Sequence, residues 1–223
     1  MRTISLAGAL TVLIFLAACG GAGTDASSGH DHDHDFVFPA VETDLYWQLD
    51  SDATRLGFTS IKAGEIIENH TFSGLYGVVD PDGLVSIAIP LNSVETGIDL
   101  RNERMRDMFF QIDDHPEASI EVTIDPAAYE NLNVGEQKLT EIEGALSLHG
   151  VQADLSAQVA VTRIGPDRIA VASAQPVIVY VDDFNLAPGL EALREIANLP
   201  AITPAIPVTF SLVFEAEHDE HGH

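Results

Sequence analysis

The sequence predicts an almost entirely β domain, with antiparallel strands arranged as a sandwich or a closed barrel and two short helices set between them. Three observations carry this. Apolar residues recur at every second position in segment after segment, turn residues punctuate those segments, and only two stretches replace the period of two with a helical one.

The strands follow in order. In LVSIAIPL, residues 84 to 91, Val85, Ile87, Ile89 and Leu91 fall on one face. Ile120, Val122 and Ile124 do the same in ASIEVTI. Ile142, Leu146 and Leu148 oppose Glu143, Ser147 and His149. Leu155, Val159 and Val161 come next, then Ile169 and Val171, and beyond a break at Pro176, Val177, Val179 and Val181. Val208, Phe210, Leu212 and Phe214 close the set. Pro81-Asp82-Gly83, Asn133-Val134-Gly135 and Gly165-Pro166-Asp167 are turns. Strands with one apolar face bury it against another layer or curl into a barrel, and a barrel removes exposed edges. The helical stretches are LRNERMRDMFF, with Met105, Met108 and Phe109 at helical spacing, and PGLEALREIANLP, with Leu190, Leu193 and Ile196 on one stripe between Pro188 and Pro200.

The chain ends read differently. Arg2 and the apolar run from Ile4 to Ala18 have the form of a signal peptide, too short to span a bilayer. The run ends in Leu16-Ala17-Ala18-Cys19-Gly20, which resembles a bacterial lipobox. That resemblance implies cleavage after residue 18, acylation of Cys19, and an anchor of acyl chains. Gly20 after the cysteine implies the outer membrane of a Gram-negative bacterium, on its periplasmic side. Cys19 is the one cysteine, so no intramolecular disulfide forms. Residues 19 to 42 are a flexible tether that includes GGAGTDASSG and HDHDHD, residues 43 to 217 are the β domain, and residues 218 to 223 are a tail, HDEHGH.

Six of the nine histidines lie in these flanks: His30, His32, His34, His218, His221 and His223. Neutral imidazole is a ligand for Zn, Cu or Ni, so labile binding of a divalent metal at the tails is one expectation. An extended HDHDHD segment points alternate imidazoles apart, which weakens any such site. The formal net charge of −25 opposes binding to nucleic acid and to anionic lipid surfaces. The sequence lacks GxSxG, P-loop, GxGxxG, HExxH and CxxC patterns, and no enzymatic activity or required cofactor is expected. His70 and His149 are read as strand residues that satisfy neighbouring backbone groups, and His115 before Pro116 as a turn residue.

The order of motifs is similar to that of the YceI-like, lipocalin-like proteins. It opens with Tyr46-Trp47-Gln48-Leu49-Asp50 and Arg55-Leu56-Gly57-Phe58, then His70-Thr71-Phe72-Ser73-Gly74 and Asp80-Pro81-Asp82-Gly83. Leu91-Asn92-Ser93-Val94-Glu95-Thr96-Gly97 precedes Arg101-Asn102-Glu103, Phe109-Phe110 and His115-Pro116, and the segment from Gly144 to Val151 completes the pattern. The runs 130 to 136 and 186 to 204 match no piece of it. The resemblance implies an extended eight-stranded antiparallel barrel that holds a polyisoprenoid or another long apolar molecule inside. Alternation then assigns Phe58, Phe72, Ile87, Ile89, Leu146, Leu148, Phe210 and Phe214 to the lumen wall, with Gly74, Ala88, Gly144 and Ala157 as small residues among them.

Three of the ten basic residues, Arg101, Arg104 and Arg106, sit within seven positions. With Asn102 they are read as a polar rim at one end of the barrel and a site for a ligand headgroup, since guanidinium suits phosphate and carboxylate. Arg101 is alternatively expected to pin its loop by pairing with Asp99, Glu95 or Glu103. The expected function is non-enzymatic binding or transport of an amphiphile such as a polyisoprenoid, a quinone or a fatty-acid derivative. Two rivals stand beside it: a metal-binding lipoprotein using the histidine tails, and a structural module whose barrel is filled by its own side chains.

Overall fold

A computed structural model describes residues 46 to 217. The apolar N-terminal run, Cys19, the tether and all six tail histidines lie outside the described residues. Eleven strands form one antiparallel sheet: β1 (Tyr46–Leu49), β2 (Arg55–Lys62), β3 (Ile66–Phe72), β4 (Tyr76–Val79), β5 (Leu84–Pro90), β6 (Glu117–Thr123), β7 (Gln137–Leu148), β8 (Val151–Gly165), β9 (Arg168–Ser173), β10 (Val177–Tyr180) and β11 (Ala205–Glu217). The path β1-β4-β5-β6-β7-β8-β9-β11 returns to β1 and closes a barrel. The other three strands continue their neighbours past a break: β2 follows β1 along β11, β3 follows β4 along the β1–β2 side, and β10 follows β9 along β11. Joined across these breaks, the eleven segments make the eight strands expected.

Each break has a local cause. Between β1 and β2 the Asp50 carboxylate accepts from the backbone N–H groups of Asp52 and Ala53, both at 3.1 Å, and throws residues 51 to 53 out of line. The facing residue of β11 would lose its ladder partners there. Instead Asp50 N–H donates to the Val213 carbonyl at 2.8 Å, and Val213 N–H donates to the Thr54 hydroxyl at 3.1 Å. Between β3 and β4 the chain turns at Gly74, whose φ of +65° is open to glycine at little cost. Between β9 and β10 lies Pro176, which has no N–H to give the ladder.

Register sets which side chains face in. Directly opposite residues of antiparallel strands share a face, and the pairs Phe58–Val208, Ile120–Leu146, Ile142–Ala157 and Val161–Val171 all point into the lumen. Ile87 and Ile89 point inward, so Ala88 between them faces outward, and Gly74 lies in a strand break. Neither is the inward small residue expected, and for Ala88 the period of two already places it opposite Ile87 and Ile89.

One end of the barrel is covered by helices. α1 (Asp99–Arg104) runs into a π-helical turn, Met105–Phe110, and α2 (Ala187–Ile196) lies against that turn. The expected stripe of Met105, Met108 and Phe109 becomes Met105, Phe109 and Phe110, all buried, because a π turn brings i, i+4 and i+5 onto one face. Gly189 lets α2 come this close: a Cβ there would sit 2.6 Å from the Met108 carbonyl oxygen.

Thr54 is buried and its hydroxyl is the acceptor for Val213 N–H. Thr54→Val removes that acceptor at nearly constant shape, so urea unfolding should show a loss of about 1–3 kcal/mol. Thr54→Ser should keep most of the stability.

Candidate functional site: an apolar cavity with a cationic end

The lumen is not filled by its own side chains. It encloses a cavity of about 560 Å³, within the usual size range of small-molecule sites. All eight residues assigned to the wall from the sequence, Phe58, Phe72, Ile87, Ile89, Leu146, Leu148, Phe210 and Phe214, line it. So do residues that alternation could not assign: Met105, Phe109 and Phe110 from the π turn, and Leu186, Leu190, Leu193, Leu199 and Ile202 from the unmatched segment 186 to 204. The Leu190–Leu193 stripe was visible as a helix face, but nothing local said what it covered.

Charged groups line the cavity only near its ends. Lys62, Arg101 and Arg104 stand at the helical end, and Asp80 and Glu130 at the other. Behind that second end Arg163 is buried, its guanidinium donating to the backbone carbonyls of Glu130 and Pro166. Between the ends the wall is aliphatic and aromatic.

At the helical end two strands and a helix meet at one carboxylate. Glu68 of β3 receives Lys62 of β2 and, at 2.7 Å, Arg101 of α1. Arg101 also donates to the Thr96 carbonyl. Arg101 therefore does pin its loop, but through Glu68 across the barrel end, not through Asp99, Glu95 or Glu103. The hydrogen bond from Lys62, joined by the charge of Arg101, outweighs burial and holds the Glu68 carboxyl below its ordinary range.

The remaining rim residues separate. Arg104 lines the cavity and makes no ion pair among the described residues. Asn102 is buried, and its carboxamide oxygen accepts from Thr96 N–H at 2.9 Å and Thr96 Oγ1 at 2.6 Å. It braces the loop and does not line the cavity. Arg106 donates to the Asn92 carbonyl at 3.2 Å and is likewise off the lining. The cluster of three arginines thus divides into one that ties the loop, one free at the cavity and one on the outside.

His70 was missed as a cavity residue. It is 4% exposed, stacks 5.0 Å from Phe58, and its Nε2 lies 2.9 Å from Ser60 Oγ, whereas Nδ1 has no partner among the described residues. Its contact is thus a side-chain hydroxyl, not the backbone group expected. Burial, reinforced by the charges of Arg101 and Lys62 and opposed by Glu68, pushes its pKa below the ordinary value. It sits neutral in the wall. His149 stands with φ of +51° after β7, its Nδ1 3.2 Å from the Phe184 carbonyl oxygen and its Nε2 3.1 Å from Gln111 Oε1. His115 stacks on it at 4.3 Å. Among the described residues no three His, Cys, Asp or Glu side chains converge as a metal site.

A closed eight-stranded barrel around an apolar cavity, with helices over one end, defines a lipocalin-like β-barrel protein. The chain belongs to the YceI-like family: the model of the YceI-like domain matches residues 47–214. Among solved structures, a polyisoprenoid-binding domain from Saccharophagus degradans, implicated in plant cell wall breakdown, is 39% identical. It superposes with a TM-score of 0.76 over 78% of this chain and 99% of its own. BcnA of Burkholderia cenocepacia shares the fold at 16% identity and a TM-score of 0.55, over 74% of this chain and 98% of its own. No curated protein matches the chain.

His70 supplies a pH test. Its folded-state pKa lies below the unfolded value near 6.5, so the unfolded chain binds the proton first. Its stability contribution is complete above that value and is lost progressively as pH falls from there through the folded-state pKa. Urea midpoints between pH 7.5 and 5.5 should drop more for the native protein than for His70→Gln.

Proposed function

We propose that this protein binds a long-chain apolar amphiphile inside the barrel, without chemical turnover, and sequesters or carries it. The observation that supports this most directly is the cavity itself: a continuous hydrocarbon wall from end to end, with charge confined to the ends. A linear tail needs no polar partner in such a site. Burial yields roughly 25 cal/mol per Å², so a tail hiding about 400 Å² gains about 10 kcal/mol before the costs of immobilisation. The polyisoprenoid-binding relative favours a polyprenyl tail, as in a polyprenyl phosphate or an isoprenoid quinone, with fatty-acid derivatives as the wider class. Lys62, Arg101 and Arg104 favour a headgroup that is anionic or accepts hydrogen bonds, held at the helical end. Of these, Arg104 is the donor left free by the internal ion pairs.

The same reading holds the protein at the periplasmic face of an outer membrane through acyl chains on Cys19, supported by the Leu16-Ala17-Ala18-Cys19-Gly20 run. Native mass spectrometry of detergent-free protein, followed by organic extraction, tests the ligand reading. A stoichiometric isoprenoid, quinone or fatty-acyl mass is expected. An empty protein that also ignores added prenols and fatty acids overturns it.

Two variants resolve tail from head. Ala157 is buried on the lumen face at mid-barrel, and Ala157→Phe should lower the affinity for any long-tailed probe by more than about tenfold, since the aromatic ring fills the tail's path. Arg104→Ala should weaken a fatty acid by about fivefold to tenfold and leave a neutral prenol of equal length within about twofold, because only the anion loses a charge-assisted hydrogen bond. Fluorescence titration reads both.

A further inference from the structure

We propose that the helical end of the barrel is a docking face for the surface of a zwitterionic phospholipid bilayer, so that a tail passes between bilayer and cavity without crossing water. This rests on the reading of the cavity as a lipid site. Five exposed aliphatic side chains gather at this end from three separate segments. Ile66 (46% exposed) and Ile67 (65%) stand at the β2–β3 hairpin, Ile66 opposite Lys62 on its cavity side and Ile67 opposite Ile61 on its outer side, with Ile98 (52%) and Leu100 (53%) at the entry to α1 and Ile196 (45%) at the end of α2.

The segments are tied together. Ala63 N–H of the hairpin donates to the Ala201 carbonyl at 2.9 Å, Lys62 bridges to Ile202, and Glu68 holds Arg101. Ile98 and Leu100 are also cavity wall, so the apolar surface runs unbroken from the lumen to the outside. Elsewhere an exposed aliphatic such as Leu139 (69%) stands on the outer wall of β7, which is ordinary for a protein surface. A collar of such residues where the apolar cavity reaches the surface at Ile98 and Leu100, beside the helical roof, is not.

Charge decides the kind of surface. Lys62 and Arg101 share Glu68 and with Arg104 and Arg106 leave three positive charges at this end, fewer than the four exposed carboxylates, Glu65, Asp99, Glu103 and Glu195, that border the collar. With −25 on the whole chain, an anionic membrane is repelled. Docking is therefore by shallow insertion of aliphatic side chains into a neutral interface, weakened by anionic lipid and scarcely affected by salt in its absence.

The test uses the full chain with a tryptophan at the collar, Ile66→Trp, or on the β7 wall, Leu139→Trp, each read against the native protein whose one tryptophan is Trp47. Both are mixed with phosphatidylcholine vesicles containing acyl-chain-brominated lipid, so any N-terminal anchor is common to both. The added fluorescence should be quenched at least twofold more at the collar, and less when about a third of the lipid is phosphatidylglycerol. Equal quenching at the two positions, or shielding of the collar by a second copy without vesicles, overturns the proposal. Cis-parinaric acid separates this from the cavity reading. Ile66→Asp with Ile196→Asp should leave its equilibrium binding in vesicle-free solution unchanged and slow its transfer from vesicles several-fold; unchanged transfer overturns the docking face. Failure of the native protein to bind the probe at all would count against the cavity reading, and the quenching result would still decide the docking face.

Discussion

Everything in this barrel depends on one strand meeting partners on both sides along its whole length. β11 carries β1 and β2 on one edge and β9 and β10 on the other. Closure at this strand turns a sheet with two unpaired edges into a tube and gives its inward side chains a common interior. The places where its partners break are the places where the chain supplies substitutes. The Thr54 hydroxyl and the Asp50 amide keep both backbone groups of Val213 bonded while residues 51 to 53 leave the ladder.

Closure alone would give a packed core. The cavity exists because side chains from opposite walls do not meet, and because one end is roofed by helices and not by a turned-in strand. The π turn delivers Met105, Phe109 and Phe110 to the roof together, and Gly189 admits α2 against it. Under that roof Lys62 and Arg101 share the one carboxylate of Glu68, a group that leaves one positive charge over. Next to it the neutral, buried His70 and Arg104 complete a polar end on an otherwise hydrocarbon lumen.

That arrangement suits a molecule that is mostly tail. On the proposed function the wall, offering area and not directional bonds, would select for length and apolarity, and the polar end, more weakly, for what the tail carries. An apolar collar at the same end extends this logic outward: the surface that would meet a bilayer is continuous with the surface that would hold a lipid's tail.

The sequence by itself determined the strand class, the inward set on most strands and the two helical interruptions, because a period of two or of 3.6 is written locally in side-chain polarity. It also carried the family pattern, through the order of short motifs from Tyr46 to Val151. The outward face of Ala88 was already implied by Ile87 and Ile89 on either side of it, whereas the register at each break was legible only with pairing in view, since one extra residue inverts a strand. The partner of Arg101 lay out of reach altogether: Glu68 is thirty-three positions away in the chain and meets it only when β3 and α1 close the same barrel end. The same holds for the leucines of α2 over the lumen and for His70 in its wall. Local pattern states what a residue resembles, whereas which residues share a cavity is decided by the closure of the sheet.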